Sequence, residues 1–198
     1  MHIRILALSV LLLSAGVLSG QNERVDSLTQ ALELTQEVDG KVSVIRELVE
    51  AWQLLSVDSA LAYANKAYEL ANRDNDVYLK AEAAATLAYT YVTANDLDKA
   101  ADYYREAQDH YLRVDDHFES TRCQMLLGNI ALAKGGYSDA LEHSEACLEQ
   151  SRKHDLEELK PHLNNNIGVI FLELGENEQA LPYLNRAAVL IEETGDDF

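Results

Sequence analysis

Between residues 76 and 195 the chain repeats one order of apolar, small and turn-forming positions every 40 residues. Large apolar side chains coincide at Leu87, Leu127 and Ile167, followed at once by small ones at Ala88, Gly128 and Gly168. Tyr91, Ala131 and Phe171 fall together, then Asn95, Gly135 and Gly175, then the small residues Ala100, Ala140 and Ala180, and finally Ala107, Cys147 and Ala187. No gap is needed to align the three units. Asn and Gly tolerate a left-handed backbone and so support a tight turn. Each unit therefore reads as an antiparallel helix pair, in which the small residue on the first helix lets the second approach closely. The units are predicted at about 76–115, 116–155 and 156–195.

A looser unit precedes them at about 36–75, where Ala60, Tyr63 and Ala67 align with Ala100, Tyr103 and Ala107. Its first helix is predicted at 41–55, although Glu47 stands where Leu87 predicts an apolar residue. Before it, an amphipathic segment at about 24–38 carries Val25, Leu28, Leu32 and Thr35 on one face and suits a cap on the stack; Asp39-Gly40 reads as a turn. Pro161 and Pro182 are expected near the front of helices, where an amide is unpaired anyway. Pro161 marks either a kink in the first helix of its unit or a late start to it. The rest of the chain opposes helix little, with two prolines and nine glycines in 198 residues.

Small-residue slots 12 apart, with a further small residue seven positions on, resemble the tetratricopeptide repeat (TPR). Leu87-Ala88-x-x-Tyr91, Leu127-Gly128-x-x-Ala131 and Ile167-Gly168-x-x-Phe171 match the core of its helix A. Ala100-x-x-x-Tyr104-x-x-Ala107 matches its helix B well, and Ala140-x-x-x-Ser144-x-x-Cys147 and Ala180-x-x-x-Leu184-x-x-Ala187 match less closely. The chain departs from the family pattern in three ways. The tryptophan slot holds Ala84, Gln124 and Asn164, and the closing proline slot holds Leu112, Arg152 and Glu192. The period is 40 rather than about 34, close to one added turn per helix. HEAT and armadillo repeats share the longer period, but the small-residue slots favour the TPR. The resemblance implies an all-α fold, a right-handed α-α superhelix built as a TPR-like solenoid. It also implies a groove lined by helix A for a protein or peptide. Its inward positions would be Glu82, Ala85, Thr86, Tyr89, Thr93, Arg122, Met125, Asn129, His162, Asn165, Asn166 and Glu173. The clamp that grips C-terminal carboxylates in some relatives is echoed only by Arg122 and the asparagines, so that activity is not implied. Asp58-Ser59-Ala60-Leu61-Ala62-Tyr63-Ala64, after a stretch with Trp52, resembles the opening of exported TPR domains at the front of bacterial sensor kinases, cyclases and transcriptional regulators.

Charge narrows the partners. Sixteen basic against 34 acidic residues give a net charge of −18. That leaves no basic footprint for nucleic acid and disfavours anionic lipid. Residues 1–20 differ from the rest, with Arg4 ahead of an apolar stretch from Ile5 to Leu18 and small residues after and within it. This is the order of a secretory signal, too short for a typical span of about 20 residues. Gln21 stands where a lipoprotein signal needs Cys. The expectation is a periplasmic or secreted chain whose mature part is residues 21–198, touching the membrane only through an anchor further on.

Candidate chemistry is sparse. None of the six histidines forms a zinc-type pair, no Asp-rich calcium loop occurs, and no phosphate loop or nucleophile elbow is present. No metal, cofactor or catalytic site is expected. The acidic doublets Asp115-Asp116 and Asp196-Asp197 suit helix N-capping. Cys123 and Cys147 lie on facing helices of one unit, where an oxidising compartment allows a disulfide and a core slot suits a buried thiol. At the other end, Asp196-Asp197-Phe198 aligns with Asp116-His117-Phe118, and the preceding helix is expected to leave Leu181, Leu184 and Ala188 without a neighbour. Repeat arrays normally close with a polar cap. Either these repeats front a longer protein, or they pair as a homodimer through this end.

Overall fold

The computed structural model describes residues 20–194. The expected signal segment lies outside the described residues except for Gly20, and so does the Asp196-Asp197-Phe198 start of a further helix. Every regular element among the described residues is helical. Residues 20–34 form α1. There follow α2 (Val38–Gln53), α3 (Val57–Asn72), α4 (Val77–Thr93), α5 (Leu97–Arg113), α6 (His117–Ala133), α7 (Tyr137–Lys153), a 3-10 turn (Glu157–Leu159), α8 (Lys160–Glu173) and α9 (Asn177–Thr194). None of these helices is long and apolar enough to cross a membrane.

The helix boundaries follow from local chemistry. Ser56, Asp76 and Asp116 cap their helices through side chains that accept from the amides of Ser59, of Tyr78 and Leu79, and of Glu119. The C-terminal ends of α4 to α8 share one device. Asn95, Asp115, Gly135, Asp155 and Gly175 all have φ between 55° and 77°. The amide after each bonds back to a carbonyl five residues earlier: Asp96 to Tyr91, Asp116 to Tyr111, Gly136 to Ala131, Leu156 to Ser151 and Glu176 to Phe171. This is the Schellman closure of a helix. These residues recur every 20 positions, so the turns that follow α4 to α8 have one geometry and α4 to α7 are each 17 residues long. Asp115 thus supplies the left-handed turn residue, and only Asp116 of that doublet caps.

The chain divides into two compact units, one ending at Asp96 and one beginning at Leu97. In the first, α2 packs on α3, α3 on α4, and α2 also touches α4. Val25 of α1 is buried with Leu48 and Ala51, and Leu28, Leu32, Val44, Trp52, Leu55 and Tyr63 pack around them. The amphipathic N-terminal segment thus covers α2. It ends at residue 34, and Asp39-Gly40 lies inside the first turn of α2 rather than in a loop. The mismatch at Glu47 also resolves. Val42, Ile45, Leu48, Val49 and Ala51 are buried, as are Ala81, Ala84, Leu87, Ala88 and Thr90, each 39 residues on. The missing residue lies in the α2–α3 turn, where the Ser56 amide bonds to the Trp52 carbonyl only four positions back.

In the second unit each helix packs on the next, and α6 also touches α8. The small-residue slots do what their size allows. A Cβ on Gly128 would stand 3.1 Å from the Cβ of His143, and one on Gly168 only 2.5 Å from Leu184 Cδ2. Leu184 therefore has a neighbour within its own hairpin, contrary to the expectation for it; Leu181 is 58% exposed and Ala188 is exposed. Pro161 stands in the first turn of α8, after the 3-10 turn, and marks a late start rather than a kink. Pro182 lies five residues past the start of α9, deeper than a first-turn position, so the amide it lacks is one the helix would have used.

Candidate binding surface

The A helices are α2 and α4 in the first unit and α6 and α8 in the second. Their apolar sides are committed to the core, so only the remaining face is free to meet a partner. In the first unit the guanidinium of Arg46 on α2 donates to Glu82 Oε1 on α4 at 2.7 Å. One turn on, the Thr86 hydroxyl bonds the Glu82 carbonyl at 2.8 Å, and Thr93 bonds the Thr90 carbonyl. Those hydroxyls are occupied within their own helix. Ala85 is half-buried, and Tyr89 projects with 51% of its surface exposed.

In the second unit Arg122 Nε donates to Glu119 Oε2 at 2.7 Å, three residues earlier on α6. Burial alone would lower the Arg122 pKa, but the bond and charge of Glu119 outweigh it and the guanidinium is held above its ordinary value. Asn166 Nδ2 on α8 donates to Asn129 Oδ1 on α6 at 2.6 Å. His162 and Glu173 are exposed and Asn165 is half-buried. Met125 is half-buried and packs against the cluster of Cys147, Leu159 and Leu163. Sequence reasoning missed Arg46, because the one-residue slip in α2 hid its position.

Both cysteines are free and buried. The Cys147 thiol donates to the Thr121 carbonyl at 3.5 Å. Burial pushes both thiols up to about 12, so neither is a thiolate near neutral pH. Of the two readings open from the sequence, the structure shows the buried thiols and not the disulfide. No group of three or more His, Cys, Asp or Glu among the described residues is arranged to hold a metal ion.

Comparison with known proteins bears on this architecture. The family model described as the MalT-like TPR region matches residues 40–197. The chain belongs to that TPR family. Lipopolysaccharide assembly protein B of Escherichia coli K12 is 25% identical over 166 residues, covering 83% of this chain and 39% of that protein. The chain thus spans well under half the length of the curated relatives it matches. Among solved structures, a STAND signal-transduction ATPase with a tetratricopeptide repeat sensor from Pyrococcus horikoshii superposes with a TM-score of 0.76 at 16% identity, over 90% of this chain and 28% of that one. Aspartyl phosphate phosphatase F of Bacillus subtilis gives 0.75 at 15% identity, over 83% and 44% of the two chains. A putative kinesin light chain of Podosopora anserina with nearly identical TPR-like repeats gives 0.71 at 15%, over 98% of each. At these identities the structural likeness establishes the TPR fold.

Proposed function

We propose that this TPR chain is a protein- or peptide-binding module exported to the cell envelope, and that it serves as the sensory or scaffolding front part of a bacterial signalling protein. The observation that carries the binding role is the polar face of the A helices. Arg46–Glu82 and Asn129–Asn166 each link one A helix to the next across 36 and 37 residues. Amide and carboxylate groups held this way are pre-positioned for the backbone of an extended segment, so less ordering entropy is lost on binding. Tyr89 adds a large apolar surface beside the Glu82–Thr86 turn. Export rests on the order of Arg4, the apolar stretch and the small residues in 1–20. A signalling role is supported by the likeness to a protein whose repeats are described as a sensor. A free-standing envelope scaffold is the second reading, favoured by the match to an assembly protein. A homodimer through the exposed Leu181 side of α9 is compatible with either.

The binding reading is tested by affinity capture from envelope extract with the wild-type chain, an Arg46→Ala/Tyr89→Ala variant and an Arg122→Ala/Asn129→Ala/Asn166→Ala variant. At least one variant should lose captured proteins by tenfold or more. Identical captures by all three would refute the A-helix assignment. Fractionation with N-terminal sequencing tests export: a mature chain should begin near Gly20 or Gln21.

A further inference from the structure

Away from the A-helix face, the rings of His117 and His154 stack with centroids 3.7 Å apart and planes 25° from parallel. His117 is the first residue of α6, and His154 caps the C-terminus of α7. The stack therefore ties the start of one helix to the end of the next, at the junction where a 3-10 turn delays the start of α8. Beyond His154 the chain makes a left-handed turn at Asp155, then the 3-10 turn, and α8 starts late. The Ser151 hydroxyl donates to the Leu156 carbonyl there at 2.9 Å, while no side chain caps the 3-10 turn.

The surroundings give a second proton little to pair with. His117 lines a small cleft of about 140 Å³. Its neighbours there are Gln108 and Leu112 from α5, Ser120, Thr121 and Gln124 from α6, and Gln150 from α7, all uncharged. Of the nearby acids, Asp116 accepts from the Glu119 amide, Glu119 pairs with Arg122, and Glu157 pairs with Lys160. Asp155 is the acid that acts on His154, against Lys153 and His117. Asp115 and Arg113 also flank the start of α6, and Arg152 and Lys153 stand in the last turn of α7.

We propose that the His117–His154 stack is an acid-sensitive clasp, which holds the end of α7 against the start of α6 while at least one ring is neutral and releases it when both are protonated. Two imidazolium rings in face-to-face contact repel each other, whereas a neutral ring stacks on either form. Partial burial of His154, with the charges of His117 and Lys153 outweighing Asp155, holds its imidazole below the ordinary range. The sign follows. Above about pH 6.5 the ring is neutral in folded and unfolded chains alike. As pH falls through that value the unfolded chain takes up the proton first, so stability drops from there down to the lower folded midpoint.

The test is an NMR titration of the imidazole protons of the full chain from pH 8 to pH 4.5, with His117→Phe beside the wild type. Ring-to-ring contacts between His117 and His154 should be present at pH 7.5 and vanish as His154 titrates. In His117→Phe, which keeps an aromatic partner but removes its charge, the His154 midpoint should rise and its contact with the ring should persist to pH 4.5. Thermal melts give an independent reading, since the carboxylate background cancels between variants: the Tm lost between pH 7.5 and pH 5.0 should be smaller in His117→Phe than in wild type. Absence of the contacts at pH 7.5, their survival to pH 4.5 in wild type, or an equal Tm loss in both proteins would overturn the clasp.

Discussion

Gly128 and Gly168 occupy equivalent slots, yet their neighbours make them unequal. At Gly168 an added Cβ meets Leu184 Cδ2 and Cγ at 2.5 and 2.6 Å, with the Leu184 amide nitrogen only 3.3 Å away. The side chain must swing aside and the helices must part slightly. At Gly128 the nearest atom is His143 Cβ at 3.1 Å, and the next, a carbonyl oxygen, is at 3.5 Å. Alanine also gains about 1 kcal/mol over glycine inside a helix. Overpacking typically costs about 1–3 kcal/mol. Gly168→Ala is therefore expected to destabilise the chain by about 1–2 kcal/mol, and Gly128→Ala to change it by less than about 1. Urea unfolding of the two variants measures the difference; equal stabilities would mean that Leu184 yields freely. That both slots need a small residue is legible from the repeat. Which of them is the tighter is not, because the leucine that crowds Gly168 comes from the partner helix, where the equivalent residue in the preceding unit is Ser144.

At the scale of elements, the ends of α4 to α8 are each set by a left-handed terminal residue. The 40-residue period was visible through the side chains that repeat, and it marked Asn95, Gly135 and Gly175 as turns. The finer rhythm of 20 was hidden because Asp115 and Asp155 fill the role that glycine fills elsewhere, and the Asp115-Asp116 doublet also reads as a cap. Asp and Asn tolerate this conformation better than other residues, whereas a left-handed backbone costs most L-residues roughly 1–2 kcal/mol. Gly175→Ala is accordingly expected to lose about 1 kcal/mol, and Asp155→Gly to lose nothing. Chemical denaturation decides: an unchanged Gly175→Ala would remove the Schellman turn as the determinant of helix length. The same logic explains α2. Its turn has no left-handed residue, the chain is one residue shorter there, and a fixed 40-residue alignment sets Glu47 on a core position that Leu48 fills.

For the whole molecule, the excess of acid is the dominant long-range property. A net charge of −18 repels itself in the compact state. The exposed ion pairs, Arg46–Glu82 and Lys134–Asp98 among them, are each worth no more than about 1 kcal/mol and weaken in salt. Screening the net repulsion should outweigh their loss, so raising sodium chloride from 20 to 200 mM is expected to lift the Tm by about 2–4 °C, equivalent to about 1 kcal/mol for a chain of this size. A Tm that falls with salt would show that the specific pairs dominate. Much of this protein is written locally. The period, the helix pairs, the small-residue slots and the cover supplied by Val25, Leu28 and Leu32 follow from residue size and spacing along one chain, because a helix pair buries whatever recurs on its inner face. Other features depend on what stands opposite. Met125 packed against the Cys147 cluster, Arg46 joined Glu82, the thiols of Cys123 and Cys147 stayed free, and His117 met His154 only once neighbouring helices were packed. Direction and distance between residues far apart in sequence are set by that packing, and a pattern of spacings carries neither.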